Sequence, residues 1–587
     1  MNQVIIAGTG ISGLMSAVML AQSGVSVIML SCCESIRSAS CMAQGGINAA
    51  EPRENDTVMK HFAETVSGGD WLADQTPVLK MCKFAPQIVA MYDRIGVAFN
   101  RHADGSPDTR YFGGSKYRRT HYADTTTGAQ LLNALDGQAR RLEEKNLITR
   151  ISGKDFVSAL FDENGSCRGC VVQDIYTMKL EAYTGMALIV ATGGYSGLYG
   201  RSTNAVLSNG AAAGELMLQG IPVANPEFVQ FHPTAMAQGD KPRLISESAR
   251  GEGGRVWVPR NGKPWYFLEE MYPELGNLVT RDLASRAVYK VVNEMQLGVD
   301  GKQEVYLDIT HLPKDVMERK LSNVIDLYQK FSGEDPRKVP MKVYPAPHYA
   351  MGGIYVDAVH RAGENGLYAC GECDCLYHGA NRLGGNSLLS ATYGGYQAAL
   401  SILADRESGI LKQTDCAVDA SWIRETVSDR EREMNDYRKR SGKESAAAVA
   451  EELGETLTEN AGIIRRNADL KNALNKIQEL KERWEKIVPA DNGNWANSSI
   501  ISIRKLRPCL TLAEAIVAGA LGRNESRGAH YKPQFPNRDD QNWLKTTVAR
   551  VDGKTGGIVL DYRPVDVSVL PPRNDGSAME RRGQNAG

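Results

Sequence analysis

The residues whose types and spacing most directly announce chemistry are Gly8-Thr9-Gly10-Ile11-Ser12-Gly13. In G-x-G-x-x-G the first glycine permits a tight turn. The second lets backbone amides reach a pyrophosphate, and the third lets a helix pack closely on a strand. The N-terminus of the helix that follows then turns its positive dipole end toward the phosphates. The chemistry this implies is dinucleotide binding. An acidic residue is expected near the end of the second strand, where it holds the ribose. The chain has Leu30-Ser31-Cys32-Cys33-Glu34 there: Ser31 can make a hydrogen bond, and Glu34 lies slightly late. The fingerprint alone does not choose between FAD and NAD. Cysteine offers a second chemistry, with Cys167 and Cys170 in a C-x-x-C and Cys370, Cys373 and Cys375 close together. A zinc or iron–sulfur centre needs four ligands in a compatible arrangement. These cysteines are therefore read as small buried residues at strand ends, and no metal site is expected.

The elements that must position the fingerprint form a βαβ unit. Val4–Ala7 reads as a strand, a helix follows from about Leu14 to Gln22 and is closed by Gly24, and Val25–Leu30 is the second strand. The α/β pattern runs on to the apolar strand Ala187–Ala191 and the turn Thr192-Gly193-Gly194. From about 226 to 345 the pattern is mixed, with many turns and short strands, and near 346 the glycine-rich α/β character returns. The simplest account is a nucleotide-binding domain interrupted by an insertion. From about 410 to 490 the chain turns helical, Leu470–Ile487 with clear periodicity, and from about 564 it reads as a frayed tail. The expected boundaries are 1–225 and 346–408 for the nucleotide-binding domain and 226–345 for the insertion. A helical domain is expected over 409–540, and a C-terminal region with a tail over 541–587. No internal repeat is visible.

Composition narrows the classes. The 587 residues carry a formal net charge of -1, so no chain-wide basic field points to nucleic acid. No apolar run reaches the roughly 20 residues that span a bilayer, so membrane association is expected to go through a partner or a surface. A strand that starts at the fourth residue leaves no room for a signal peptide. Eleven cysteines without a disulfide-scaffold spacing suit a reducing compartment. The 58 glycines cluster in motifs, which suits backbone approaching a ligand closely.

From Ala43-Gln44-Gly45-Gly46-Ile47 onward the chain resembles the succinate dehydrogenase and fumarate reductase flavoproteins. The resemblance recurs at Arg110-Tyr111-Phe112-Gly113-Gly114, Gln230-Phe231-His232-Pro233-Thr234 and Ser246-Glu247-Ser248-Ala249-Arg250-Gly251-Glu252. It continues at Arg281-Asp282, His348-Tyr349-Ala350-Met351-Gly352-Gly353, Gly371-Glu372-Cys373, His378–Leu388 and Glu525-Ser526-Arg527-Gly528-Ala529-His530. Gly262–Glu270 resembles the menaquinone-linked bacterial branch, whose anchor is a single dihaem cytochrome b.

The resemblance implies FAD and an α/β fold: a Rossmann-like FAD-binding domain with an inserted α+β capping domain, then a helical domain and a C-terminal region. It places Gly8, Gly10, Gly13, Ser31, Ser38, Gln44, Gly45, Gly46, Thr192, Gly193 and Asn209 on the cofactor. Glu372, Asn386, Ser387 and Leu388 join them, with the helix after Asn386-Ser387 pointing its N-terminus at the pyrimidine end of the flavin. It assigns His232 and Ser246 to one carboxylate of a dicarboxylate substrate, and His348 and Arg382 to the other, with Phe112 packed on the substrate. It makes Arg281 the proton donor or acceptor, relayed through Glu247 and Arg250. Without the family blocks, the histidines read equally as satisfied core residues and Arg281-Asp282 as a surface ion pair.

One departure bears on the cofactor. Most membrane-bound relatives link FAD through the histidine of Arg-Ser-His-Ser, whereas this chain has Arg37-Ser38-Ala39-Ser40. Ala39 has no nucleophile, and Cys41 is expected to point the wrong way, so the FAD is expected to be non-covalent. In the family, loss of the bond lowers the flavin potential and weakens succinate oxidation more than fumarate reduction. Asn209 stands where relatives often have an acidic residue, so altered contacts to the adenosine part are expected. Implied partners are an iron–sulfur subunit and a membrane cytochrome b, which place the chain peripherally on the cytoplasmic side of a bacterial inner membrane. The alternatives are a soluble L-aspartate oxidase-like enzyme and a flavin-binding scaffold without turnover. The first lacks the Gly262–Glu270 stretch and the extension over 537–545, and the second is at odds with a complete set of site residues.

Overall fold

The structure, a computed structural model, describes residues 2–236, 241–363, 365–411 and 420–572. Its centre is a five-stranded parallel sheet in the order Leu367–Ala369, Ala187–Val190, Gln3–Ala7, Ser26–Ser31, Ile148–Ser152. The first strand of the chain lies in the middle, paired with Ala187–Val190 on one side and Ser26–Ser31 on the other. Covered on both faces, it is apolar without alternation, as a central parallel strand must be. Helix Ile11–Gln22 joins the first two strands. It begins three residues earlier than the apolar pattern suggested, because Gly13 lets the first turn lie against the sheet. A Cβ there would stand 2.2 Å from the Gly8 carbonyl oxygen.

Strands Ala187–Val190 and Leu367–Ala369 are sheet neighbours, although some 180 residues separate them in the chain. Much of the intervening sequence folds as a six-stranded sheet in the order Arg243–Leu244, Val229–Met236, Met341–Ala350, Val305–Asp308, Arg255–Arg260, Lys263–Trp265. It has its own core, built from Ile245, Phe267, Val288, Leu307, Met341 and Val343 among others. This is the capping insertion. Helix Asn386–Glu407 then returns to pack on Ile11–Gln22.

The helical region holds Ser421–Lys439, Ala446–Asn460, Asn467–Trp484 and the 25-residue helix Ser498–Gly522, so it runs beyond 490. A hairpin of Lys545–Val551 and Ile558–Pro564 adds to Val223–Ala224 and Gly353–Ile354, tying the C-terminal region to the nucleotide-binding domain. The tail is not frayed from 564. The Gln75 backbone N–H donates to the Asp566 carbonyl at 3.0 Å, and Gln75 Nε2 and Trp71 Nε1 donate to the Leu570 carbonyl at 2.7 and 3.1 Å. Polar composition misled there because buried side chains of another segment supply the partners. The rest of the expected tail, 573–587, lies outside the described residues. Cys167 and Cys170 sit buried in strand Cys167–Asp174, and Cys370 and Cys373 are buried beside the central sheet. Among the described residues no helix is long and apolar enough to cross a membrane.

Candidate functional site: a nucleotide cleft that ends in a buried cationic pocket

The carboxyl ends of the parallel strands open into a cavity of about 640 Å³ that continues under the capping insertion. Gly8, Thr9, Gly10, Ile11 and Ser12 form part of its wall. Helix Ile11–Gln22 presents its first turn there without a side-chain cap or an acidic residue, and the Ile11 N–H reaches Ser40 Oγ at 3.2 Å. Open amides and an unopposed positive dipole end suit a pyrophosphate. Gly8, at φ +120°, has no room for a side chain, since a Cβ would lie 2.2 Å from the Ala191 carbonyl oxygen. Ser31, Thr192, Gly193 and Asn209 also line the cavity, whereas Gly13 works from behind the wall. Glu34 is exposed and absent from the wall. Lys154, Asp155 and Lys505 stand there instead, with Asp155 paired to Lys505 at 2.9 Å and to Arg504. Sequence reading missed these residues, because no motif joins residue 155 to residue 505.

Ser38, Ala39, Cys41, Gln44, Gly45 and Gly46 line the next part of the cavity. Ser38 Oγ is buried without a partner among the described residues, an orphan that a cofactor would satisfy. Glu372, Ser387 and Leu388 stand on the same wall. Glu372 accepts from the Ala350 N–H at 3.1 Å and from Asn204 Nδ2 at 3.2 Å, and burial still raises its pKa to about 7. Asn386 is different from expectation. Its side chain turns away from the cavity, accepting from Asn48 Nδ2 at 2.8 Å and donating to Thr65 Oγ1 at 3.0 Å. It locks the turn into helix Asn386–Glu407 and is no part of the wall, a direction that sequence position could not give.

Phe112, His232, Ser246, Glu247, Arg281, His348 and Arg382 converge in the remaining part. Glu247 Oε2 accepts from Arg281 Nη2 at 2.7 Å and Nε at 2.9 Å, and its Oε1 accepts from Arg250 Nη2 at 2.6 Å. Burial pushes the Glu247 carboxyl up, but Arg281 and Arg250 outweigh it and hold the pKa below the ordinary value, so the group is ionised. Arg250 does not line the cavity. It leads away from it, donating to the Asn277 carbonyl at 2.8 Å. The surface-pair reading of Arg281-Asp282 fails: Arg281 is buried and pairs with Glu247, while Asp282 pairs with Arg286 at 2.9 Å.

His232 is buried and His348 half-buried, with ring centroids 5.1 Å apart. Burial, then the charge of Arg281, holds both pKa values well below the ordinary imidazole value, so both rings are neutral. Arg382 lies over the Tyr349 ring at 4.4 Å, and burial followed by Arg281 lowers its pKa to about 9, which leaves it charged at neutral pH. His232 Nε2 and Arg382 Nε are buried with no partner among the described residues. Two orphan groups beside three guanidinium groups and one carboxylate define a site for a small anion with several acceptor oxygens.

One residue outside the expected set holds this geometry. Gln230 Oε1 accepts from Arg281 Nη1 at 3.0 Å and from Arg382 Nη2 at 3.1 Å. Its Nε2 donates to Asn381 Oδ1 at 2.8 Å and to the Arg382 carbonyl at 2.7 Å, which fixes the amide's orientation. A signal existed: Gln230, His232 and Thr234 alternate along strand Val229–Met236, and alternate residues share a face.

A parallel-sheet nucleotide cleft, covered by an inserted cap and ending in a buried anion site, defines an FAD-binding oxidoreductase. Residues 3–388 match the family model described as FAD binding domain, and residues 450–576 match that described as fumarate reductase flavoprotein C-term. The succinate dehydrogenase flavoprotein subunit of Bacillus subtilis (strain 168) is 46% identical over 97% of this chain and 98% of its own. The fumarate reductase flavoprotein subunit of Escherichia coli (strain K12) is 31% identical over 97% of this chain and 94% of its own. Among solved structures, E. coli quinol fumarate reductase superposes with a TM-score of 0.90 at 30% identity, covering 97% of this chain and 98% of that one. The chain belongs to the succinate dehydrogenase/fumarate reductase flavoprotein family.

Proposed function

We propose that this chain is the flavoprotein subunit of a succinate:quinone or quinol:fumarate oxidoreductase whose FAD is held without a covalent bond. The observation that carries the substrate reading is the convergence of His232 Nε2, Arg382 Nε and the chain Arg281–Glu247–Arg250 on one end of the cleft. Bound FAD supplies hydride exchange with one carbon of the dicarboxylate. Arg382 and His348 take one carboxylate, and His232 and Ser246 take the other. Phe112 packs on the substrate, its ring lying against Gly45 and Gly384. Arg281 gives or takes the proton at the second carbon, and Glu247 and Arg250 connect it to the region behind the site.

The residues that fit FAD are Gly8, Gly10, Ser31, Ser38, Gln44, Gly45, Gly46, Thr192, Gly193, Asn209, Glu372, Ser387 and Leu388, all in one wall. Ala39 stands in that wall where most membrane-bound relatives carry the linking histidine. Cys41 also lines the cavity, but burial raises its thiol pKa and so disfavours the attacking thiolate. The enzyme accordingly favours fumarate reduction over succinate oxidation. It belongs to the menaquinone-linked branch, pairs with an iron–sulfur subunit and a cytochrome b, and sits peripherally on the cytoplasmic side of a bacterial inner membrane. Acid precipitation tests the tether: the yellow colour is expected in the supernatant, and colour in the pellet overturns the non-covalent reading. Fumarate-dependent reoxidation of the reduced enzyme tests the activity. Peroxide release on adding L-aspartate would point to the aspartate oxidase reading instead.

A further inference from the structure

The two histidines of the anion pocket each have Nδ1 against a threonine. His232 Nδ1 faces the Thr234 backbone N–H at 3.3 Å and the Thr234 hydroxyl at 3.2 Å. A backbone N–H only donates, so Nδ1 accepts, and the proton of the neutral ring lies on Nε2. That Nε2 is a buried atom left without a partner among the described residues. His348 Nδ1 lies 2.7 Å from Thr203 Oγ1. The hydroxyl's other neighbour is the Pro347 carbonyl at 3.2 Å. That oxygen already accepts from the Thr203 N–H at 3.0 Å and from Ser202 Oγ, which lies nearer to it, at 2.9 Å, than to its other acceptor, Ser196 Oγ, at 3.3 Å; these two donors match its two lone pairs. The Thr203 hydroxyl proton is therefore left for the shorter contact with His348 Nδ1, and the His348 ring proton lies on Nε2.

We propose that Thr203 is a positioning residue that sets the tautomer of His348, so that His348, like His232, turns Nε2–H toward a substrate carboxylate. This rests on the dicarboxylate reading of the pocket given above. The opposite tautomer would set a nitrogen lone pair against carboxylate oxygens. The arrangement also fixes the charge of the pocket. With both rings neutral, Arg250, Arg281, Arg382 and Glu247 leave two positive charges, equal and opposite to those of a dicarboxylate. Arg281, Arg382 and His232 face His348 and disfavour a further positive charge on it. The two threonines are not equivalent. Thr234→Val keeps the backbone donor to His232, whereas Thr203→Val leaves His348 Nδ1 with no donor among the described residues.

The test uses the FAD-loaded protein, with malonate titrated against the flavin absorbance and fumarate reduction followed as a function of pH. For Thr203→Val the expected result at about pH 8 is a Kd for malonate and a KM for fumarate at least about tenfold above wild type, with kcat held within roughly twofold. Both constants should stay raised from about pH 6 to about pH 8, because burial and the charges of Arg281 and Arg382 keep the ring neutral with or without the hydroxyl. Thr203→Ser should restore wild-type behaviour, and Thr234→Val should move KM far less than Thr203→Val. If Thr203→Val does not load flavin, Thr203→Ala carries the same comparison. A Thr203→Val protein with wild-type KM for fumarate and wild-type Kd for malonate overturns the proposal. A wild-type protein that neither responds to malonate nor reduces fumarate overturns the dicarboxylate reading itself.

Discussion

Gln230 shows how one neutral group can govern a charged site. Its amide oxygen accepts from both Arg281 and Arg382, so it aligns two cations without cancelling either charge. Gln230→Glu keeps the shape but puts a carboxylate between those guanidinium groups, removing one of the two net positive charges a dianion meets. The KM for fumarate is expected to rise roughly tenfold or more while flavin content stays unchanged, as steady-state rates and absorbance will show. Arg281→Ala removes the group at the substrate end of the Glu247–Arg250 chain. Fumarate reduction should fall by about 10³-fold or more with flavin still bound, and unchanged activity would remove the proton assignment. Glu372 supplies a stability prediction. Burial lifts its pKa from the ordinary 4.5 to about 7. Between those values the folded chain holds a proton that the unfolded chain has released. Its contribution therefore weakens the fold as pH rises through that window, and the cost is complete above it. The Glu372→Gln apoprotein should be more stable than wild type by about 3 kcal/mol at about pH 8, with the difference gone below about pH 4; thermal melts across pH measure it.

At the scale of elements, the site depends on how helices begin and how one strand faces. Helix Ile11–Gln22 can offer its first amides only because Gly13 lies against the Gly8 backbone. Gly13→Ala should therefore abolish FAD loading, measured as the ratio of flavin to protein absorbance, and a normally yellow variant would refute the packing account. The strand–helix–strand around Gly8, Gly10 and Gly13 was legible, because local apolar pattern and glycine spacing act within some thirty residues. Helix Ser498–Gly522 was less legible: most of its residues are buried, so it lacks the alternation of apolar and polar faces that marks a surface helix. Asn386 marks the limit of motif transfer. A residue can stand at the right turn and still point its side chain behind the wall.

At the scale of the whole molecule, segments far apart in the chain close the structure. Strand Leu367–Ala369 completes the central sheet after the capping insertion, and the hairpin over 545–564 completes another sheet. The segment over 566–570 caps Gln75 and Trp71, with the Leu570 N–H donating to Gln75 Oε1 at 2.7 Å. Ending the chain after Val565 should lower Tm by roughly 2–5 °C, read by differential scanning calorimetry, because several part-buried hydrogen bonds to Trp71 and Gln75 are lost.

The sequence by itself determined what depends on neighbours along the chain: the dinucleotide turn, the central parallel strand and the Gly-rich blocks that give the family. It also placed His232, Ser246, Glu247, Arg281, His348 and Arg382 in family motifs, and so the class of chemistry. Only the tertiary structure decided which of their atoms meet. The pairing of Arg281 with Glu247 and not Asp282 is made inside the capping part, the bridge through Gln230 reaches Arg382 of the nucleotide-binding part, and Thr203 meets His348 from 145 residues away in the chain. Hydrogen bonds act over about 3 Å, so groups tens to hundreds of residues apart acquire those distances only when the packed fold sets them.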